Sequence, residues 1–168
     1  MTRHRVAIVM GSDSDWPVMQ QCYQQLTRFA VSAHVEVMSA HRSPQRVHEF
    51  ASTAEANGIE VIIAGAGMSA ALAGTIAAVT PLPVIGVPLA NGMLDGLDAL
   101  LSTAQMPPGV PVAAMGPGSA GARNAALLAV QILAATDEQL ARAFREYKSK
   151  QASEVAAKNQ SLQERLEL

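Results

Sequence analysis

Short apolar runs alternate along the chain with helix-length segments, and turn residues mark each junction. The runs are RVAIVM (5–10), AHVEVM (33–38), EVIIA (60–64), PVIGV (83–87) and PVAAM (111–115). Each has the length and apolar continuity of a buried strand. Five such strands alternating with helices predict an α/β domain built on a parallel sheet. Proline marks two helix starts, Pro17 after Asp15-Trp16 and Pro44 after Ser43. At the first helical position its missing N–H costs nothing. Gly58 closes the second helix.

Two of the predicted helices, 70–79 and 120–135, lack a polar face apart from Arg123, Asn124 and Gln131 in the second. Helices of that kind have to be covered on every side. In a single domain of 168 residues the expected cover is a second subunit. The segment 137–168 changes character, with six basic and six acidic residues and with Leu140, Phe144 and Tyr147 at helical spacing. It is expected to be a helical tail that docks one stripe on a neighbouring subunit and frays toward its end. Residues 5–135 are then expected to form the α/β core, which would carry any catalytic site.

Composition sharpens this picture. Only 15% of residues are charged and the formal net charge is -2, against about 25% charged in an ordinary soluble domain. That leaves little charge to cover a monomer, so a homo-oligomer is expected. Between Val6 and Ala135 there is no lysine, and the arginines are Arg28, Arg42, Arg46 and Arg123 against eight acids. Schiff-base chemistry on a core lysine, a G-K-[ST] phosphate loop and a basic stripe for nucleic acid are all excluded. The single cysteine, Cys22, excludes a disulfide framework or thiolate cluster and suits a reducing compartment. The stretch 61–79 carries no charge and is long enough for a membrane span, but Gly65, Gly67 and Gly74 interrupt it and no aromatic belt or basic residue flanks it. A buried strand and helix account for it, so no membrane is expected as a partner.

In an open parallel sheet, ligands bind beyond the carboxyl ends of the strands. After the first strand comes Gly11-Ser12-Asp13-Ser14-Asp15. Its hydroxyls and N–H groups suit a phosphate or a ribose diol, while a capped polar turn is the plainer reading. Because two acids would repel bare phosphate, a sugar hydroxyl is the better partner for Asp15. After the second strand comes Ser39-Ala40-His41-Arg42-Ser43-Pro44. There Arg42 can fork onto a phosphate next to a helix start. His41 beside an anion site has the side chain that general acid–base chemistry near neutral pH requires. His34, alternating with Glu36 on an edge strand, and His48, on the second helix, read as structural. Two G-x-G-x-x-[GA] matches, at 65–70 and 116–121, lack the acid expected about 20 residues on at the end of a next strand. Their glycines are expected instead to admit close backbone approach. A response-regulator reading fails because no aspartate ends the third strand and no lysine follows the fifth. No metal-binding or nucleophile-elbow spacing appears either. What remains is an enzyme without metal or cofactor, with a non-catalytic nucleotide-binding module as the remote alternative.

GSDSDW (11–16), SAHRSP (39–44), AGAG (64–67), LPVIGVP (82–88) and QMPPGVPVA (105–113), taken in order, resemble the PurE family of purine biosynthesis. The resemblance runs from about Val6 to Ala135. It implies a three-layer flavodoxin-like, doubly wound domain with a C-terminal helix and a cytoplasmic, cofactor-independent homo-octamer with active sites at subunit contacts. It also implies an isomerase that moves a carboxylate from the exocyclic nitrogen of N5-carboxyaminoimidazole ribonucleotide to its ring carbon. Carried over, Ser12, Asp15, Ser39 and Arg42 would bind the ribose phosphate and His41 would shuttle the proton. Gly67 and its neighbours, Ser69 and Leu72 among them, would complete the substrate site and line a carbon dioxide pocket.

Two segments depart from the mutase pattern: Gly92-Met93-Leu94-Asp95, which bears on nothing catalytic, and 66–74. Residues 66–74 read AGMSAALAG, where mutases resemble AGGAAHLPG and relatives that carboxylate aminoimidazole ribonucleotide directly resemble AGRSNALSG. Met68 and Ala71 thus stand in place of a glycine and a histidine, and Ser69, Ala71 and Leu72 are shared with the direct carboxylases. SAHRSP follows the mutase form. The mutase is the expected activity, and direct carboxylation with carbon dioxide is its rival.

Overall fold

The computed structural model describes residues 4–166. Five parallel strands, β1 (Val6–Met10), β2 (Ala33–Val37), β3 (Val61–Gly67), β4 (Val84–Leu89) and β5 (Ala113–Ala114), form one sheet in the order β2-β1-β3-β4-β5. Six helices accompany them: α1 (Trp16–Arg28), α2 (Pro44–Thr53), α3 (Leu72–Ala77), α4 (Leu97–Ala104), α5 (Gly118–Ala134) and α6 (Glu138–Leu166). This is the doubly wound, flavodoxin-like order, with its topological switch between β1 and β3.

Strand alternation divides the core. Val6, Ile8, Met10, Val61, Ile63, Ile85 and Leu89 pack under α1 and α5, joined by Met19, Cys22 and Leu26 of α1 and the small residues Ala122, Ala125, Ala126 and Ala129 of α5. On the opposite face Ala7, Val9, Ile62, Ala64 and Val84 pack under α2 and α3 through Val47, Phe50, Leu72 and Ile76. The helix α4 adds to this second layer, since a Cβ on Gly86 of β4 would collide with the Thr103 methyl. Central strands buried on both faces explain the unbroken apolar runs.

Several boundaries shift from the sequence expectation. Strands β3 and β4 run on to Gly67 and Leu89, paired as Gly65↔Val87, Ala66↔Pro88 and Gly67↔Leu89. Pro88 is tolerated because β5 ends with Ala114 opposite Gly86, so no ladder continues on that side. The fifth run supplies only Ala113–Ala114 instead of five residues, in keeping with Pro111, which has no N–H to donate to a ladder. Helix α3 is six residues rather than ten, and α4 was not singled out in the sequence.

The tail is one continuous helix. Asp137 caps it by accepting from the Leu140 N–H at 3.1 Å and binds Arg5 at 2.7 Å, while Arg5 also holds Glu60 at 2.6 Å. These bonds fasten the starts of β1, β3 and α6 together. The stripe Leu140, Phe144 and Tyr147 packs within the same chain on the core beneath α1 and α5, with Phe144 and Tyr147 against the Phe29 ring. Beyond it α6 is exposed, including Val155, Leu162 and Leu166. Among the described residues no helix is long and apolar enough to cross a membrane.

Candidate functional site

Four strand ends open onto a single cleft of about 480 Å³ at the β1/β3 switch point. The residue after β1, Gly11, starts a tight polar turn. Ser12 caps a 3-10 turn over Asp13–Asp15, and the Asp15 carboxylate in return accepts the Ser12 N–H at 3.0 Å. The reciprocal cap folds Asp15 inward, leaving it 4% exposed. Burial pushes its pKa above the ordinary carboxylate value, opposed in order by the Ser12 N–H, the Asn91 amide and the Arg42 charge. Asp13, exposed in the same turn, adds like-charge repulsion.

The turn after β2 is fastened by a serine pair. The Ser39 N–H donates to Ser43 Oγ at 3.0 Å, and the Ser43 N–H and hydroxyl both donate to the Ser39 carbonyl. His41 and Arg42 are thereby displayed on the outside of the turn, both exposed to the cleft. The Arg42 guanidinium donates to the Gly11 carbonyl at 2.7 Å and to Ser39 Oγ at 3.4 Å, which aligns the β1 and β2 loops. Three of its five N–H donors are left for a ligand. His41 lines the cleft with an exposed side chain, and among the described residues nothing hydrogen-bonds its imidazole, which leaves both ring nitrogens available to a ligand.

The end of β3 forms the opposite wall. Ala66, Gly67, Met68, Ser69, Ala71 and Leu72 line it, with Leu72 buried at the start of α3 and Met68 62% exposed at the lip. Met68 has φ +57°, a left-handed conformation that costs an L side chain about 1–2 kcal/mol. A glycine would take it freely, so the replacement at this position places strain as well as bulk on the lip.

Every residue singled out by the sequence for this site, Ser12, Asp15, Ser39, His41, Arg42, Gly67, Ser69 and Leu72, lines this one cleft. His34 lies elsewhere on the edge strand, bonded to Glu36, which Arg46 also holds at 2.6 Å. His48 is exposed on α2 outside the cleft. One lining residue escaped the sequence reading: Asn91, whose amide donates to Asp15 Oδ1 at 2.8 Å. Asn91 lies two residues beyond the end of β4, so the rule that places ligands outside the carboxyl ends of parallel strands covers it too.

The arrangement offers a guanidinium and hydroxyls for an anion, a buried carboxylate for sugar hydroxyls and a free imidazole for proton transfer. The similarity to known proteins extends over most of the chain. The sequence is 53% identical over 161 residues to the N5-carboxyaminoimidazole ribonucleotide mutase of Mycobacterium tuberculosis, covering 96% of this chain and 91% of that protein. It is 52% identical over 151 residues to the enzyme of the same name from Escherichia coli, covering 90% and 89%. The fold superposes on the crystal structure of Treponema denticola PurE with a TM-score of 0.85 at 27% identity, over 94% of this chain and 97% of that one. The AIR carboxylase (AIRC) family model matches residues 5–154, all five strands and the whole cleft included, and the chain belongs to that family.

Proposed function

We propose that the chain is an N5-carboxyaminoimidazole ribonucleotide mutase of purine biosynthesis. The observation that carries this reading is the meeting, in one cleft, of residues that the sequence assigned separately from three loops. In this reading Arg42, with the Ser12 and Ser39 hydroxyls, takes the substrate phosphate, and Asp15 accepts from the ribose hydroxyls. His41 enters protonated and gives its proton to the exocyclic nitrogen. The nitrogen–carboxylate bond breaks, its electron pair returns to nitrogen, and carbon dioxide and aminoimidazole ribonucleotide result. The enamine-like ring carbon then attacks carbon dioxide to form the new carbon–carbon bond. His41 removes the proton from that carbon, which restores aromaticity and returns the imidazolium to its starting state. Protons and electrons balance over the cycle, so the isomerisation as written calls for no cofactor. One group acting as acid and then base is a role imidazole suits, since its proton is exchangeable near neutral pH.

Direct carboxylation of aminoimidazole ribonucleotide is the second reading, favoured by Ser69 and Ala71 on the β3 wall of the cleft. The identity of about half the residues to proteins named as mutases favours the first. The deciding assay offers the chain purified N5-carboxyaminoimidazole ribonucleotide or aminoimidazole ribonucleotide with bicarbonate. The mutase reading expects turnover of the first, and consumption of the second alone would overturn it. In the same assay His41→Asn should abolish turnover with substrate binding retained, whereas His34→Ala and His48→Ala should remain within a few-fold of wild type.

The assembly we propose is a homo-octamer, and a cytoplasmic location goes with the reaction. Beside the cleft rim, Met93, Leu94, Leu97 and Leu101 are 98, 57, 50 and 44% exposed. An apolar patch of this kind supports a subunit contact next to the site. The exposed half of α6 would pack on a neighbouring subunit.

A further inference from the structure

We infer that Asn91 is a positioning residue for substrate binding: its amide fixes the orientation and charge of the Asp15 carboxylate from across the cleft. The inference rests on the reading of Asp15 as the acceptor for the substrate's sugar hydroxyls. Asp15 is held by two donors of different origin. The Ser12 N–H reaches Oδ2 at 3.0 Å from within the same turn, and Asn91 Nδ2 reaches Oδ1 at 2.8 Å from a loop 76 residues away. Each carboxylate oxygen is thus occupied once, which fixes the plane of the group and leaves each with further lone pairs for a ligand. A lysine at position 91 would also donate, but it would neutralise the carboxylate. A neutral amide donates while leaving the negative charge in place.

The surroundings are shaped for this contact. A Cβ on Gly67 would lie 3.0 Å from Asn91 Cβ and 3.2 Å from the Leu89 carbonyl. The bare end of β3 is therefore the space in which the Asn91 side chain lies. The charged groups acting on Asp15 are Arg42, which favours its ionised form, and Asp13, which opposes it. His41 is the other titratable group lining the cleft. With burial already raising the proton affinity of Asp15, withdrawal of the Asn91 donor moves it further in the same direction.

The test is steady-state kinetics with N5-carboxyaminoimidazole ribonucleotide across pH for Asn91→Ala, Asn91→Ser and Asn91→Asp, with Asp15→Ala alongside. Asn91→Ala should raise KM roughly 10- to 100-fold, as expected for loss of a hydrogen bond to a charged group, with kcat changed far less. Its acid limb in kcat/KM should move to higher pH. Asn91→Asp, which puts a second carboxylate against the first, should shift the limb further. Asn91→Ser, which keeps a donor, should restore much of the wild-type profile. An unchanged KM and pH profile in Asn91→Ala, with Asp15→Ala defective, would overturn the role of Asn91 and leave the site reading standing. Normal kinetics in Asp15→Ala would overturn both.

Discussion

Gly67→Ala tests whether the bare end of β3 exists to seat Asn91. The new Cβ would meet Asn91 Cβ at 3.0 Å, the Leu89 carbonyl at 3.2 Å and Asn91 Nδ2 at 3.4 Å, whereas carbon atoms pack comfortably at about 3.5–4.0 Å. The Leu89 carbonyl belongs to a strand paired with β3, and Asn91 stands on an exposed loop, so the loop should yield. A retreat of about 0.5–1 Å takes the 2.8 Å bond from Asn91 to Asp15 beyond useful hydrogen-bonding distance. A bond to a charged group contributes about 1.5–3 kcal/mol, so substrate affinity should fall roughly 10- to 150-fold. Overpacking should also lower stability, by about 1 kcal/mol, at the small end because the site borders a cleft. Titration calorimetry with substrate, beside thermal unfolding, measures both effects. Gly116→Ala is the comparison, since nothing lies within 4 Å of a Cβ there. If Gly67→Ala and Asn91→Ala act through one contact, the double variant should bind no worse than the weaker single one. Wild-type affinity in Gly67→Ala, or full additivity in the double variant, would refute the reasoning.

Asp15 should trade stability for binding. Its folded-state pKa is raised, chiefly by burial, so the folded protein holds that proton more tightly than the unfolded chain. Ionisation therefore costs stability: the cost is absent in acid, builds up as pH rises from the ordinary carboxylate pKa to the raised folded value, and is constant above it. Asp15→Asn turns an NH2 toward one of the two donors at every pH but removes the cost of ionisation, so its Tm relative to wild type should improve from acid to neutral pH while substrate binding weakens, and a Tm difference independent of pH would contradict it. The exposed pair Leu97 and Leu101 tests the assembly: Leu97→Glu with Leu101→Glu should reduce the mass in light scattering from a multiple of 17.6 kDa toward the single chain. An intact oligomer in that double variant would place the subunit contact elsewhere.

Much of the sheet was legible in the sequence because central parallel strands are buried on both faces, and continuous runs such as VAIVM and VIIAG have no other easy explanation. Their ends were harder to read. Gly65-Ala66-Gly67 has the composition of a turn, and Pro88 argues against a strand, yet the two segments pair to Leu89 because each satisfies the other where β5 has stopped. That pairing is a tertiary fact with no local signal. It matters for the site, since two more residues of β4 carry the chain to Asn91 opposite Asp15. The tail shows the same limit: its helical stripe was visible, but nothing local said that Phe144 and Tyr147 would meet Phe29 of their own chain.

The cleft itself was legible because its parts are held by bonds within each loop or between neighbouring loops. The reciprocal cap of Ser12 and Asp15 spans three residues, and the Ser39–Ser43 pair spans four. Residue type and spacing therefore carry most of that geometry. The Arg42 bond to the Gly11 carbonyl joins adjacent strand ends, which the strand order alone brings together. Asn91 differs in that its function lies wholly in a partner 76 residues distant. A short polar side chain after a strand is unremarkable until the buried carboxylate it faces is known. Met68 completes the contrast, since its left-handed backbone appears only in the folded chain. Its place at the lip, beside Gly67, puts the departure from the mutase pattern on the wall of the cleft that His41 also lines. The bonds from Arg42, Ser12 and Asn91 do not run through it, so the lip can vary while the other walls of the cleft keep their form.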